Sequence, residues 1–392
     1  MRSSTTYDRP LPHYGGYPDY SVWEPGPPSV RQWLDALNRS LARRPEINLY
    51  VNLPRCEETY IDALLGEFAI YRNALLRRPR LRQLYLGGAP TAWPPDSLMR
   101  LLDGLLAEVD SVASSAFVVA SRCKDLRHSS LAVLAERGFD GLTLEVDQPP
   151  DNSLDRTVAT VRDLGYRSIG FDLGNTPTGS TYAVKRTLTH ALALRPEQLT
   201  LSRECSLVSS GPEPCTTARR MLEDAGYRDI GLDHFVHAQD ELLRAQQQGL
   251  LHHTPTGYTT ADCTVNLSLG STSIGDCPDA YVQNEREVSA YQYGVLVRKD
   301  LPLSRGHTLN RDEQITRQHT QNLLCRGFTD WKDESRRCPA LAHAVDQWNA
   351  MAVDAVVRRS PFRVEVTESG HPYLRDICRP LLPGDTQSVA QA

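Results

Sequence analysis

The chain has 392 residues, 40% of them apolar and 23% charged, with a formal net charge of −5. That length suits one large domain with a smaller one beside it, and the composition is that of a globular protein. The acidic balance argues against a broad nucleic-acid or anionic-membrane surface, and no segment is long and apolar enough to span a membrane or to form a signal-peptide core.

A cytoplasmic protein is expected, acting on a small molecule or a protein partner. Residues 1–45 are rich in proline, tyrosine and glycine, with Tyr14, Tyr17, Tyr20 and Trp23 close together, and turn helical over SVRQWLDALNRSLARR. They read as an arm docked on the remainder or as a lid over a flat aromatic ligand. Over 46–228, short β-rich runs alternate with amphipathic ones. The strand candidates are INLYVNL (47–53), QLYLGG (83–88), FVVAS (117–121), GLTLEV (141–146), SIGFDL (168–173) and QLTLS (198–202), apolar as strands buried on both faces should be. In PPDSLMRLLDGLLAEV, Asp96 can cap a helix whose Leu98, Leu101, Leu102, Leu105 and Val109 share one face. Gly138 and Gly165 stand at helix C-cap positions. Such βα units in series predict an α/β fold with a parallel sheet, barrel-like or doubly wound, and a ligand site at the C-terminal strand ends. Over 229–392 the rhythm gives way to polar helices and loops, which predicts a smaller, mainly helical C-terminal domain with a frayed tail.

The nine cysteines include no CxxC, CxxxC or Cys/His finger; the closest pair, Cys205 and Cys215, is ten apart. Zinc ribbons and locally ligated clusters are not expected. Cys56 ends a strand-like run and reads as a small buried thiol. Asp233, His234, His237, Asp240, His252 and His253 look like metal-ligand material, because His234 and His237 would share a helical face; hydrogen-bonded structural histidines are the competing reading. LGGAPT could hold an anion at a helix start or be a tight strand–helix turn. No nucleophile elbow, Walker motif or dinucleotide fingerprint is present.

Several of these pieces together resemble the oxygen-independent coproporphyrinogen III oxidases, radical S-adenosylmethionine (SAM) enzymes of haem synthesis. HYGGYPDY is similar to the family's N-terminal arm, LYVNLPRC to its first strand and cluster loop, and LYLGGAPT to its glycine-rich SAM turn. GYRDIGLDHFVHAQDELLRAQQQGLLHHTPTGYTT, DAYVQNEREVSAY and VEVTESGHPYLRDIC are similar to its C-terminal half. The resemblance implies a partial (β/α)6 TIM-type barrel of the radical SAM kind with a smaller helical C-terminal domain. It implies ligand-binding roles for Tyr14, Tyr17, Tyr50, Gly87, Gly88, Thr91, Asp172, Tyr258 and Thr259.

The family's cluster needs three thiolates spaced CxxxCxxC on one loop, and this chain supplies Cys56 alone before the helical ETYIDALLGEF. Where the resemblance implies a carboxylate for the SAM ribose, FVVASRCKDL offers Ala120 or Ser121. No [4Fe–4S] cluster and no other cofactor is therefore expected, Cys56 being a remnant, and SAM binding is left open. The expected function is that of a cluster-less relative, not a radical oxidase, binding a tetrapyrrole such as porphyrin or haem, or a related carboxylated ligand. The alternatives are a repurposed non-radical enzyme, with Asp172, Asp147 or His234 as acid or base, and a pseudoenzyme that regulates a protein partner.

Overall fold

The computed structural model describes residues 28–146, 152–173, 180–201 and 212–382. Tyr14, Tyr17, Tyr20, Trp23, Asp147, Cys205 and the last ten residues lie outside these ranges.

All six expected βα strands form: β1 (Glu46–Leu53), β2 (Arg80–Gly88), β3 (Asp110–Arg122), β4 (Gly141–Glu145), β5 (Ser168–Asp172) and β6 (Gln198–Thr200). They pair in parallel in chain order. The helices between them are α2 (Thr59–Ala74), α3 (Pro95–Leu106), α4 (His128–Glu136), α5 (Asn152–Asp163) and α6 (Thr181–Ala193), with α1 (Val30–Arg43) ahead of β1. Ser29 caps α1 through a capping box with Gln32. Asp96 stands in the first turn of α3 without capping it; the helix opens on Pro95 instead, whose missing N–H costs nothing there. Leu98, Leu101, Leu102, Leu105 and Val109 are all buried.

The sheet is larger than the sequence rhythm suggests. After α7 (Pro212–Asp224), the antiparallel pair β7 (Tyr227–Gly231) and β8 (His234–His237) joins the far side of β6. The boundary expected at 228/229 lies inside β7. Beyond α8 (Glu241–Gln248) and the hairpin β9 (His252–Thr254) and β10 (Gly257–Thr259), β11 (Asn266–Leu269) returns to pair in parallel with β1. Then β12 (Ile274–Cys277), β13 (Ala280–Asn284) and, after α9 (Val288–Gln292), β14 (Leu303–Thr308) extend that edge antiparallel. Among the described residues the order is β14-β13-β12-β11-β1-β2-β3-β4-β5-β6-β8-β7. The remaining elements, α10 (Arg311–Arg326), β15 (Phe328–Asp330), α11 (Pro339–Val353), β16 (Val357–Ser360), β17 (Arg363–Val366) and α12 (Leu374–Cys378), gather round a second apolar cluster centred on Trp348, Leu323 and Ile377.

Apart from β3, whose Ala116, Val118 and Ala120 line the cavity, the strands β1–β6 are mainly apolar on one face. In β1, Ile47, Leu49, Val51 and Leu53 are essentially fully buried under α1 and α2, while Asn48, Tyr50 and Asn52 face the other way. Leu84 and Leu86, Leu142 and Leu144, and Ile169 and Phe171 continue the helix-covered side. The expected burial on both faces holds for β1, but its apolar character is confined to the helix-covered face. The inner face of the curved sheet is polar because it meets a cavity, not helices.

One carboxyl group ties the two halves of the sheet together. Glu67 of α2 is fully buried and accepts from Gly270 N (2.9 Å), Asn284 Nδ2 (2.6 Å) and Tyr291 Oη (2.7 Å), all from the segment carrying β11–β13 and α9. Burial pushes its carboxyl up to about 7, against the pull of these three donors. The folded chain therefore holds a proton there that the unfolded chain has already released. Stability from this group is full below about pH 4.5 and is lost as pH rises through about 7, a span worth about 3 kcal/mol. Urea unfolding should thus give a lower midpoint at about pH 7.5 than at about pH 5, and Glu67→Gln should flatten that difference. An unchanged slope in the variant would assign the pH dependence to another group.

Candidate functional site

A cavity of about 530 Å³ opens on the inner face of the sheet, within the range of small-molecule sites. Its walls follow the period-two rule. Tyr50 of β1, Gln83, Tyr85 and Gly87 of β2, Thr143 and Glu145 of β4, Asp172 of β5, Gln198 and Thr200 of β6, and His234 of β8 all point into it. Pro255–Thr260, on and beside the β9–β10 hairpin, close one side.

At the C-terminal rim the register lines up one polar residue per strand. Arg122 stands opposite Glu145, Glu145 opposite Asp172, Asp172 opposite Thr200 and Thr200 opposite His234. Arg122 Nε donates to Glu145 Oε2 at 3.3 Å, and Thr200 Oγ1 lies 3.3 Å from His234 Nδ1. Asp172 is buried. Beside this row the rings of Tyr50 and Tyr85 pack with centroids 5.8 Å apart. Burial, with the Glu145 carboxylate close by, holds the Tyr85 phenol well above its usual value, so it is a neutral hydrogen-bonding group at any physiological pH.

Tyr50, Gly87, Gly88, Asp172, His234, Tyr258 and Thr259 therefore line one cavity. Tyr258 also serves the frame: its hydroxyl donates to Leu324 O at 3.1 Å and its ring meets those of His234 and His253 edge-on. Thr259 Oγ1 donates to Gln83 Oε1 at 3.2 Å. Gly88 has φ +85°, which favours glycine.

Thr91 stands apart from the cavity walls. It is fully buried, its hydroxyl pairs with Ser121 Oγ and donates to Asp125 O at 3.1 Å, and the buried Asp125 carboxylate pairs with Arg55. Trp93 Nε1 donates to Pro54 O at 2.9 Å. These bonds clasp the loops at the ends of β1, β2 and β3 to one another, in the region where the resemblance implies a cofactor.

Cys56 lies on the clasped loop and is exposed, not buried as expected, because Pro54 ends β1 and the chain crosses the rim before α2 begins. His234 and His237 lie on a strand instead of a helix, so their three-residue spacing sends the rings to opposite faces. His237 packs edge-on against Tyr227. Asp233 pairs with Arg219 at 2.6 Å, Asp240 caps α8 through Leu242 N, and His252 sits 3.7 Å from Asp262. Among the described residues, no three His, Cys, Asp or Glu side chains are grouped to hold a metal ion. Gln83, Tyr85, Glu145 and Thr200 were not singled out from the sequence, although their alternation with Leu84, Leu86, Leu144 and Leu199 is its signal.

No protein-family model matches the chain. Among curated proteins it is 27% identical to the oxygen-independent coproporphyrinogen III oxidase of Pseudomonas aeruginosa, over 95% of this chain and 93% of that one. It is 27% identical to the Paracoccus denitrificans enzyme of the same name, over 95% and 94%, and 25% identical to that of Escherichia coli K12, over 88% and 87%. A solved structure of E. coli coproporphyrinogen III oxidase (HemN), described as a radical SAM enzyme, superposes with a TM-score of 0.81 at 24% identity, covering 94% of this chain and 96% of that one. No helix among the described residues is long and apolar enough to cross a membrane.

Two measurements check the site. A Cβ on Gly87 would lie 2.5 Å from Tyr50 Oη, so Gly87→Ala should displace that ring and lower the unfolding free energy by about 1–3 kcal/mol with the fold retained. Burial pushes the thiols of Cys263, Cys277, Cys325 and Cys378 up to about 12. Iodoacetamide at neutral pH should therefore alkylate Cys56 on the order of 100-fold faster than these four, read by peptide mass spectrometry. Over nearly its whole length the chain resembles the oxygen-independent coproporphyrinogen III oxidases, and it shares their HemN fold.

Proposed function

We propose that this protein holds a small organic ligand of tetrapyrrole type in the inner-face cavity and does no radical chemistry. The observation that carries the reading is the cavity itself, with a neutral tyrosine pair and a polar row at its mouth, beside loops clasped to one another. The tetrapyrrole class comes from the relatives, which are named for coproporphyrinogen. The donor set argues against a [4Fe–4S] cluster. Such a cluster takes several thiolates, and Cys56 is separated from α2 by only Glu57 and Glu58, too few residues for a CxxxCxxC loop.

Charge constrains how a carboxylated ligand would sit. The walls carry Asp140, Glu145, Asp172, Glu197, Asp240 and Glu241 against Arg167 and Arg244. Like charges repel across a low-dielectric cavity, so the flat body would lie inward and the carboxylates toward solvent. A second reading, an enzyme using acid–base chemistry, is favoured by the row that brings Glu145, Asp172 and His234 onto neighbouring strand ends. The regulatory alternative, which requires a filled cavity, has less support.

The test is absorbance spectroscopy on protein purified anaerobically, supplied with iron and sulfide, then titrated with coproporphyrin III and haem. The expected result is a saturable Soret shift, weakened about tenfold by Tyr85→Ala, with no charge-transfer band that dithionite bleaches. Such a band would overturn the non-radical reading. Absence of any Soret shift would transfer support to the acid–base enzyme.

A further inference from the structure

We propose that the floor of the cavity is a subsite for a hydrogen-bond donor, receiving a primary amine or hydroxyl at one end of the ligand on Asn48 Oδ1. The inference rests on the reading of the cavity as a ligand site and adds the chemistry of the ligand's inner end.

Arg317 of α10 donates from Nη2 to Asp276 Oδ1 at 2.6 Å and from Nη1 to Cys277 O at 2.7 Å. A carboxylate held by a guanidinium can only accept. Asn266, opposite Asp276 in the β11–β12 pair, must therefore turn its Nδ2 toward Asp276 Oδ2, at 3.2 Å. That leaves Asn266 Oδ1 facing β1, where it accepts from Asn48 Nδ2 at 3.0 Å. Rotating either amide by half a turn would set oxygen against oxygen or N–H against N–H. The orientation is passed one way, from α10 across three strands, although the hydrogen bonds themselves converge on Asp276, and of the side-chain atoms in this row only Asn48 Oδ1 is without a partner.

Asn48 is 5% exposed and its Oδ1 has no hydrogen-bond partner. A buried acceptor left so costs on the order of 1–3 kcal/mol, a cost that binding a donor would recover. The group lies on a recess of about 10 Å³ also lined by Gln83, Asn266 and Ser268, which is room for one small group. The recess shares Tyr50, Gln83 and Tyr85 with the main cavity. A ligand whose flat body lies along the tyrosine pair can thus reach the floor with a terminal amine or hydroxyl. A carboxylate there would meet the lone pairs of Asn48 Oδ1, and the subsite excludes it.

Three probes share one aromatic body and differ at its end: phenethylamine donates and is charged, 2-phenylethanol donates and is neutral, and 3-phenylpropanoate is a carboxylate. Calorimetric titration of the full chain should show the amine and the alcohol binding and the carboxylate failing. Asn48→Leu should weaken both donors about tenfold. If the amine alone binds and Asn48→Leu leaves it unchanged, the acidic walls explain the binding and the floor assignment is wrong. Equal or tighter binding of the carboxylate, or no binding by either donor, also overturns it. The wild-type preference decides the matter even if the variant does not fold. Should coproporphyrin III or haem give a Soret shift while the donor probes fail, the cavity reading stands and only the floor assignment falls.

Discussion

The constraint on which this protein depends is the unequal treatment of the two faces of its parallel sheet. A parallel sheet built from βα units is normally sealed by packing on both sides. Here the outer face is closed by leucine, isoleucine and valine against α1–α4, while the inner face carries tyrosine, glutamine, threonine and carboxylates. Polar side chains on that face must be satisfied by one another, by water or by a ligand. The registers across β3–β8 and across β1–β12 therefore become rows of hydrogen-bonding groups as well as a scaffold.

Polar chemistry also fastens the distant parts of the chain. The buried Glu67 holds α2 to the turn after β11, and Arg317 reaches from α10 to the buried Asp276. Near the second apolar cluster, Arg219 bridges Asp229 and Asp233, and Arg375 of α12 approaches the same Asp233 carboxylate. Breaking one partner of such buried pairs is costly because the other is left without compensation. These contacts make the C-terminal elements part of the same rigid frame that shapes the cavity, and they set the orientation of groups on its floor.

The clasp at the ends of β1–β3 gives the resemblance its physical content. In a sheet of this kind the strand ends are where ligands are expected. Thr91, Ser121, Asp125 and Arg55 meet there and bond to one another, and Pro54 is tied down by Trp93. Beside this clasp the cavity reaches the ends of β4, β5, β6 and β8.

Much of the fold was legible in the sequence. Apolar runs of strand length separated by helical periods identified β1–β6, and the leucines of α3 and the glycines Gly138 and Gly165 marked helix limits, because these are local effects of backbone and neighbouring side chains. Motif resemblance extended that reading to the whole chain, and it named Tyr50, Gly87, Asp172 and Tyr258, which come together in the cavity. What only the tertiary structure decided is long-range. The return of β11 beside β1, the strand rather than helix at His234–His237, the exposure of Cys56 and the one-way relay ending at Asn48 all depend on pairings between residues far apart in the chain. Local sequence fixes how a segment is built; register between distant strands fixes which of its side chains meet.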